Sequence, residues 1–450
     1  MRNFSISIVG MGYVGLCTAV GFASKENNVI AVDKDPEKVD SINKALSPFH
    51  EPHLNDFLRK AVNGGCLKSV PDLKEAILST EITFITVGTP SKADGSIDLH
   101  QIQDSTIEIG EALNKKDKYH LIVVKSTVVP GTTENFVKPL LEQHSDKHCG
   151  SDFGLCMNPE FLREGSAIHD TFHPDRVIIG EYDKKSGDTL ELLYKKFYAE
   201  EGPSTIRTNL PTAELIKYAN NAYLATKISY INTIANICEK IPETDIKTVE
   251  KAIGLDNRIS PKFLRAGLGY GGSCFPKDLK ALIAFSNQSG YEPILLRSVQ
   301  KVNDDRVRHA IGLLQKELGD LSGKKIAILG LSFKPNTDDM REAKSIPLIN
   351  QLLKKGTKVI VYDPVAISNA KSIFKNKIEY ASSSIKCLKN ADCCILVTEW
   401  EEFKKLEPDD FTQHMKNPLL IDSRRIYNPE QFSQKMKFKA IGFGTQTKLY

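Results

Sequence analysis

The chain lacks several features that would have narrowed its function at once. Its nine cysteines are odd in number and contain no C-x-x-C pair, so neither a disulfide framework nor a zinc site is indicated, and we expect no metal. No apolar run reaches the length of about 18 residues that a membrane-spanning helix needs. The net charge is only +4 over 450 residues, and the basic residues form no dense stripe in the sequence. Both observations argue against a nucleic-acid partner. We therefore expect a cytoplasmic globular protein with unpaired thiols.

Two regions of alternating strand and helix patterns flank a helical middle. Short apolar runs predict buried strands at 5–9, 29–32, 82–87, 121–125 and 176–180, and again at 325–329, 358–362, 392–397 and 419–421. Helical patterns fill the middle at 212–241, 245–253, 277–289 and 292–318. This order predicts an α/β fold with a parallel, doubly wound sheet up to residue 200. We place the domain boundaries at 1–205, 206–305 and 306–450.

A glycine-rich turn follows the first predicted strand. Gly10, Gly12 and Gly15 have the G-x-G-x-x-G spacing, and Asp33 ends the second strand about 20 residues later. Such glycines permit a tight turn, close approach of a pyrophosphate and close helix–strand packing, while the acid accepts from ribose hydroxyls. We predict a dinucleotide site that prefers NAD to NADP. Lys38 either reaches the adenosine side or is a solvated helix lysine.

A second glycine-rich loop, Gly267-Leu-Gly-Tyr-Gly-Gly-Ser-Cys274, ends in a thiol. Pro276 could open a helix directly after it, and a helix N-terminus lowers the pKa of a thiol, an effect to which Lys277 could add. The loop could alternatively be a turn around a buried structural cysteine. Its composition leaves two chemical roles open, a nucleophile that attacks a carbonyl and a redox-sensing thiol. A resolving cysteine nearby in sequence is missing, which disfavours the second role.

Two further pairs of polar residues are candidates for a functional site. Glu160 and Glu164, in Asn-Pro-Glu-Phe-Leu-Arg-Glu-Gly, would share a face if the segment were helical, and a surface turn is an equally good interpretation. Lys217 and Asn221 lie four residues apart on the predicted long helix, where a solvated face is the ordinary interpretation.

Taken together, these motifs resemble the UDP-glucose/GDP-mannose dehydrogenase family essentially from end to end. The resemblance rests on GMGYVG, VGTP from Val87, KSTVVPGT from Lys125, NPEFLREG, HPDRVIIG from His173, AELIKYANNAYLA from Ala213, GYGGSCFPKD from Gly269 and GLSFKPNTDDMRE from Gly330. It implies two Rossmann-like doubly wound domains joined by a long central helix and a helical dimerisation domain. It also implies a homodimer, or a higher homo-oligomer, built on the long helix.

The resemblance implies a four-electron oxidation of a nucleotide sugar by two NAD⁺ in succession. Cys274 would trap the aldehyde as a thiohemiacetal, which becomes a thioester and is hydrolysed to the acid. Lys217 would stabilise the oxyanion, and Asp278 and Glu160 would handle protons. Asn221 and Thr127 would orient water and substrate.

The resemblance also assigns the binding residues. Cofactor contacts are implied for Gly10, Gly12, Tyr13, Val14, Gly15, Asp33, Lys38, Thr89, Thr127, Glu164 and Arg341. Substrate contacts are implied for Glu160, Phe161, Leu162, Arg163, Glu164, Lys217, Asn221, Arg258, Phe263, Gly271, Lys334 and Arg424. Arg258 would act from a neighbouring subunit, Lys334 on the substrate diphosphate, and the Arg424–Arg425 pair as another basic contact.

The thiol loop is similar to the branch that acts on UDP-glucose, and UDP-glucuronate is then the implied product. The alternatives are the same chemistry on another nucleotide sugar, such as GDP-mannose or UDP-galactose, and a non-catalytic sensor of NAD or a nucleotide sugar. Asp338, Asp339 and Met340 precede Arg341 where the family varies, which puts the cofactor contact of Arg341 in doubt.

Overall fold

The computed structural model describes residues 3–199 and 202–444. The chain forms two compact units. The first comprises residues 1–220 and 280–288, and the second comprises 221–279 and 289–450. The boundaries fall inside two helices, so each unit is continued by a helix that starts in the other.

The first unit contains an eight-stranded sheet. Its strands are β1 (Ser5–Val9), β2 (Asn28–Val32), β3 (Leu67–Val70), β4 (Ile82–Ile85), β5 (His120–Val124), β6 (Phe153–Met157), β7 (Arg176–Glu181) and β8 (Ser204–Asn209). Their order is β3-β2-β1-β4-β5-β6-β7-β8. This is the doubly wound arrangement, in which β2 and β3 are added on one side of β1 and the later strands on its other side. β1, β4, β5 and β6 are buried almost throughout because helices cover both faces of a parallel sheet.

One pair in this sheet departs from the predicted parallel arrangement. β6 and β7 pair antiparallel, with Met157 opposite Gly180, and β8 then runs parallel to β7. Residues 158–175 connect the two strands and stay beyond the carboxyl end of β6. β7 therefore enters the sheet from that end and runs in the opposite direction, so that the last residues of the two strands pair.

The helices of the first unit pack on both sides of this sheet. They are α1 (Tyr13–Ala23), α2 (Pro36–Asn43), α3 (Leu54–Asn63), α4 (Leu73–Ser79), α5 (His100–Asn114), α6 (Lys138–Ser145), α7 (Ala167–Phe172) and α8 (Lys184–Tyr198), with a π-helical turn at Thr133–Val137. α9 (Leu210–Cys238) begins in this unit and is the predicted long helix. Two apolar clusters, one on each face, form the core.

The second unit contains a six-stranded parallel sheet. Its strands are β9 (Lys325–Leu329), β10 (Lys358–Tyr362), β11 (Glu379–Tyr380), β12 (Cys393–Leu396), β13 (Leu419–Asp422) and β14 (Lys437–Ala440), in the order β11-β10-β9-β12-β13-β14. This order is again doubly wound around a central first strand. The predicted pair of α/β regions around a helical middle is therefore confirmed.

Helices complete the second unit. They are α10 (Ile246–Gly254), α12 (Ile294–Leu318), α13 (Ser345–Lys354), α14 (Ile367–Phe374), α15 (Ser384–Leu388), α16 (Glu401–Lys404), α17 (Pro408–His414) and α18 (Pro429–Lys435). α11 (Phe275–Gln288) begins in this unit and ends in the first. Within the described residues, none of the helices combines the length and the apolar character that crossing a bilayer requires.

Candidate active site

The first glycine turn forms a cradle at the carboxyl end of β1. The backbone N–H of Gly10 donates to Val32 O at 2.8 Å, and the φ of Gly10 is +95°. A Cβ on Gly15 would lie 1.9 Å from Gly10 O, so only glycine allows α1 to pack there. A Cβ on Gly12 would have no neighbour within 4 Å, and α1 begins at the next residue, Tyr13. An open backbone approach at a helix N-terminus fits a dinucleotide pyrophosphate.

The acid at the end of β2 completes this cradle. Asp33 Oδ2 accepts from Met11 N at 2.8 Å, and its Oδ1 accepts from Asp35 N at 3.0 Å. Lys38 Nζ lies 3.4 Å from Asp33 Oδ2. The carboxylate is thus aimed by backbone donors but retains acceptor capacity, as hydrogen bonds to ribose hydroxyls require.

Thr127 lies after β5 at the same edge of the sheet, where ligands of such folds bind. Its backbone oxygen accepts from Thr89 Oγ1 at 2.8 Å, which ties together the two predicted threonines.

Glu160 and Lys217 form a buried ion pair in the first unit. Lys217 Nζ lies 2.9 Å from Glu160 Oε1 and 2.6 Å from Glu160 O, and the two side chains are 4% and 6% exposed. The surface interpretations of both residues are therefore wrong. The segment around Glu160 is not helical, so the condition under which Glu160 and Glu164 would share a helix face is not met.

The electrostatics of this pair favour a carboxylate. Burial raises the pKa of Glu160, but the charge and hydrogen bond of Lys217 and the Leu162 N–H outweigh it, so the pKa lies below its usual value. Lys125 is buried beside them and donates to Asn158 Oδ1 at 2.8 Å. Burial lowers the pKa of Lys125 to about 8, with Glu160 opposing and Lys217 reinforcing the shift. The sequence indicated Lys217 and Glu160, but nothing in it singled out Lys125.

The residues that follow Glu160, up to 167, are held by contacts with other parts of the first unit. Arg163 forms a two-point ion pair with Asp170, from Nε at 2.9 Å and Nη2 at 2.5 Å. The Arg176 guanidinium lies 4.0 Å from the centre of the Phe161 ring. Gly165 and Ala167 donate their N–H groups to the buried Glu51 carboxylate, both at 2.7 Å, which closes the turn after Glu164.

The predicted thiol loop lies in the second unit. Cys274 directly precedes α11, and Asp278 N donates to Cys274 O at 2.8 Å, which makes Cys274 the first residue of the hydrogen-bonded turn. The thiol is half-buried and Ser273 Oγ lies 3.5 Å from its Sγ. This is the predicted place for an activated thiol.

Asp278 is held beside the start of the helix by two donors. Asn221 Nδ2 donates to Asp278 Oδ2 at 2.7 Å, and Lys277 Nζ donates to Oδ1 at 2.7 Å. Asp278 is 1% exposed and Asn221 is 5% exposed. Lys277 is therefore an ion-pair partner of Asp278, and Asn221 does not lie on a solvated face.

Three polar residues that the sequence did not indicate clamp the glycine loop. Asn303 accepts from Tyr270 N at 2.8 Å and donates to Tyr270 O at 3.2 Å, so its side-chain amide pairs with the loop as a neighbouring strand would. Asn232 accepts from Gly267 N at 2.8 Å, and Arg306 Nε donates to Gly267 O at 2.9 Å. They come from α9 and α12. No local motif marks them.

The glycines of this loop are required by internal packing. A Cβ on Gly271 would lie 2.4 Å from Glu342 O, and one on Gly272 would lie 2.7 Å from the Phe333 ring. Gly272 N also donates to Arg341 O at 2.9 Å.

The basic residues of the second unit that were predicted to bind ligands differ in their partners within the protein. Arg341 makes a two-point ion pair with Asp339, and the exposed Arg258 makes one with Asp256. Arg424 Nε donates to Val397 O at 2.5 Å, whereas Arg425 is buried and binds Asp245. The Lys334 ammonium lies 5.4 Å from the Phe333 ring centre. Phe263 adopts a φ of +65°.

Comparison with known proteins identifies the family. Three models of the UDP-glucose/GDP-mannose dehydrogenase family match consecutive parts of the chain: the NAD binding domain at residues 4–198, the central domain at 211–305 and the UDP binding domain at 327–429. The chain belongs to this family.

Individual relatives of the family agree over almost the whole chain. A UDP-glucose 6-dehydrogenase of Haloferax volcanii is 44% identical, covering 94% of this chain and 96% of that protein. One of Bacillus subtilis is 40% identical, covering 97% of each. The solved structure of a UDP-glucose dehydrogenase from Pyrobaculum islandicum has a TM-score of 0.91 at 35% identity, covering 98% of both chains.

The family, the cradle at Gly10–Gly15 and the fold agree on the class of activity. The chain is an NAD-dependent nucleotide-sugar dehydrogenase.

Proposed function

We propose that this dehydrogenase oxidises the C6 hydroxymethyl group of UDP-glucose to a carboxylate and releases UDP-glucuronate. The observation that supports the chemistry is the arrangement of Cys274 at the start of α11, with Asp278 buried one turn later between Asn221 and Lys277. A thiol and a held carboxylate at a helix N-terminus suit the capture of an aldehyde and its later hydrolysis. The substrate is inferred from the relatives named above.

In this proposal the protein residues have separate tasks. Bound NAD⁺ supplies the hydride acceptor for both oxidations. Cys274 attacks the aldehyde carbon to give a thiohemiacetal, and the second oxidation leaves a thioester on the same sulfur. Lys217 stabilises negative charge on the reacting oxygen. Asp278 and Glu160 take up and return protons, and water cleaves the thioester.

The binding roles predicted above complete the proposal. The cradle and Asp33 hold the cofactor, Thr89 and Thr127 border it, and Lys334, Arg341 and Arg424 supply positive charge for nucleotide phosphates. The division into domains at 205 and 305 and the cytoplasmic location stay predictions.

A panel of nucleotide sugars tests substrate and stoichiometry together. The purified protein should form two NADH per UDP-glucose consumed. One NADH per sugar would overturn the thioester route, and turnover of GDP-mannose alone would overturn the substrate. Cys274→Ala should form no acid while binding NADH as the wild type does. Full turnover in that variant would remove the thiol from the mechanism.

We also propose a homodimer built on α9. Tyr223, Tyr230 and Ile237 are 61%, 54% and 50% exposed and are spaced by seven residues, so they lie along one face of the helix. Exposed apolar stripes of this kind mark association surfaces. Tyr230→Glu should lower the molar mass measured by analytical ultracentrifugation to that of a monomer. An unchanged mass would place the interface elsewhere.

A further inference from the structure

Glu214 is a buried carboxylate to which the proposed chemistry gives no task. It lies on α9 three residues before Lys217 and has no exposed surface. The carboxylate accepts three hydrogen bonds from the segment after β5. The donors are Gly131 N at 2.5 Å, Thr133 N at 2.7 Å and Thr133 Oγ1 at 2.6 Å.

These bonds join two parts of the first unit that are remote in sequence. The segment 127–133 begins at Thr127, whose backbone oxygen is held by Thr89, and ends where the π-helical turn starts at Thr133. Glu214 therefore anchors the far end of a segment whose near end is already tied. The helix that supplies this anchor is the one that carries Lys217.

An ionisable group is a costly choice for such an anchor. Burial, with Glu134 adding to it, raises the pKa of Glu214 to about 7 against the opposing effect of the three hydrogen bonds. A neutral side chain could cap a helix start at lower cost. A carboxylate, however, can bind two backbone N–H groups and a hydroxyl at once, and these bonds are short and charge-assisted.

We propose that Glu214 is a positioning residue of the dehydrogenase, which fixes the segment 127–133 so that Thr127 keeps its place relative to Lys217. This inference rests on the roles proposed for Thr127 and Lys217. It assigns to Glu214 no contact with substrate or cofactor. Its effect is transmitted through Gly131 and Thr133.

The test compares Glu214→Gln with a matched control, Asp183→Asn. Asp183 caps α8 in the same unit and accepts from Ser186 N at 3.0 Å and Ser186 Oγ at 2.7 Å, the same pair of donors that Thr133 offers to Glu214. Both substitutions keep the size of the side chain and replace one acceptor oxygen by a donor. The measurements are the melting temperature, the NADH dissociation constant by fluorescence titration, and kcat and KM for NAD⁺.

We expect Glu214→Gln to weaken NADH binding and to lower kcat by roughly tenfold or more, because small displacements of positioning groups have effects of this size. Asp183→Asn should change only the melting temperature. If Glu214→Gln melts lower but keeps wild-type NADH affinity and kcat, its role is structural only and the proposal is overturned.

A second variant keeps the test decisive if Glu214→Gln does not fold. Thr133→Val removes the hydroxyl bond and leaves the backbone bond, so it should change NADH affinity and kcat in the same direction by a smaller factor. Wild-type values in Thr133→Val would also overturn the proposal. Failure of the substrate assignment is seen separately, as absence of UDP-glucose turnover by the wild type, while the NADH titration still reports on Glu214.

Discussion

The two sheets begin with the same turn and continue differently. Gly10 and Gly330 both have a φ of +95°, and each donates its N–H to the last residue of the second strand, Val32 or Tyr362, at 2.8 Å. The next N–H then reaches an acid, from Met11 to Asp33 at 2.8 Å and from Leu331 to Asp363 at 2.7 Å. The local geometry of a dinucleotide turn therefore occurs in both units.

The segment after the glycine distinguishes the two turns. After Gly10 a helix starts at Tyr13, whereas after Gly330 an irregular segment runs to α13 at Ser345. Asp33 has 12% of its side chain exposed, whereas Asp363 is 1% exposed and accepts from Ser332, Val365, Ala366 and the Trp400 indole as well. Asp363 has its acceptor capacity used by the protein itself. The two turns therefore differ in two features that hold a dinucleotide, a helix N-terminus directly after the turn and an acid with spare acceptors.

The largest expected effect concerns the packing of the first turn. Gly15→Ala places a Cβ 1.9 Å from Gly10 O, so α1 must move and NADH binding should be lost. Gly12→Ala is the control because its Cβ meets nothing within 4 Å. That variant should melt as the wild type does and bind NADH more weakly, as fluorescence titration would show. Equal NADH affinity of Gly15→Ala and wild type would refute the assigned packing.

Replacing each acid by asparagine should separate a structural role of Asp363 from a cofactor-binding role of Asp33. Asp363→Asn turns one acceptor into a donor among backbone N–H groups and should cost about 2–3 kcal/mol in the free energy of unfolding while leaving NADH affinity unchanged. Asp33→Asn should unfold nearly as the wild type does, bind NAD⁺ about tenfold more weakly and discriminate less against NADP⁺. Urea titration and NADH titration of both variants measure the difference. A loss of NADH affinity in Asp363→Asn would contradict the comparison.

Acid should act in opposite directions at two buried groups, His120 and Asp422. Burial, reinforced by Lys116, lowers the pKa of His120 in the first unit to about 3, so the unfolded chain binds a proton first as the pH falls below 6.5 and the contribution of His120 to stability is lost. Burial raises the pKa of Asp422 in the second unit, so the folded form binds a proton first and gains relative stability from acid.

Of the three predicted effects, that of His120 on the free energy of unfolding is the smallest, about 1 kcal/mol near pH 5.5. Hydrogen exchange measured by mass spectrometry from neutral pH to pH 5.5, corrected for the intrinsic exchange rate, should show a loss of protection in β5 that depends on His120. His120→Gln should flatten the pH dependence of β5 protection. Identical behaviour of that variant and wild type would show that His120 is not the group responsible.

Sequence reasoning succeeded where the chemistry is local. The strand, the three glycines and Asp33 lie within one βαβ unit, and Cys274 lies close to the proline at the start of the next helix, so spacing alone could indicate both. The buried ion pair of Lys217 and Glu160 could not be read from spacing, because the two partners are 57 positions apart in the sequence.

Residues that act over long range were missed for the same reason. Asn303 and Arg306 are ordinary polar residues on α12, and only the folded chain brings them to Tyr270 and Gly267. The antiparallel pairing of β6 with β7 was also missed, because strand direction depends on the path of the connection and not on the strand sequence. Asp363 resembles Asp33 in sequence position, and Trp400, 37 residues away, helps to saturate it.

The tight packing of Gly271 and Gly272 against Glu342 and Phe333 has a consequence for inheritance. Selection for a folded second unit would retain these glycines even in a descendant that had lost its thiol and its activity. Such a descendant would still carry the glycine-rich signature and would be classed as an enzyme by it. In a newly sequenced relative, the residue at the position of Cys274 is therefore the one to read before assigning a reaction.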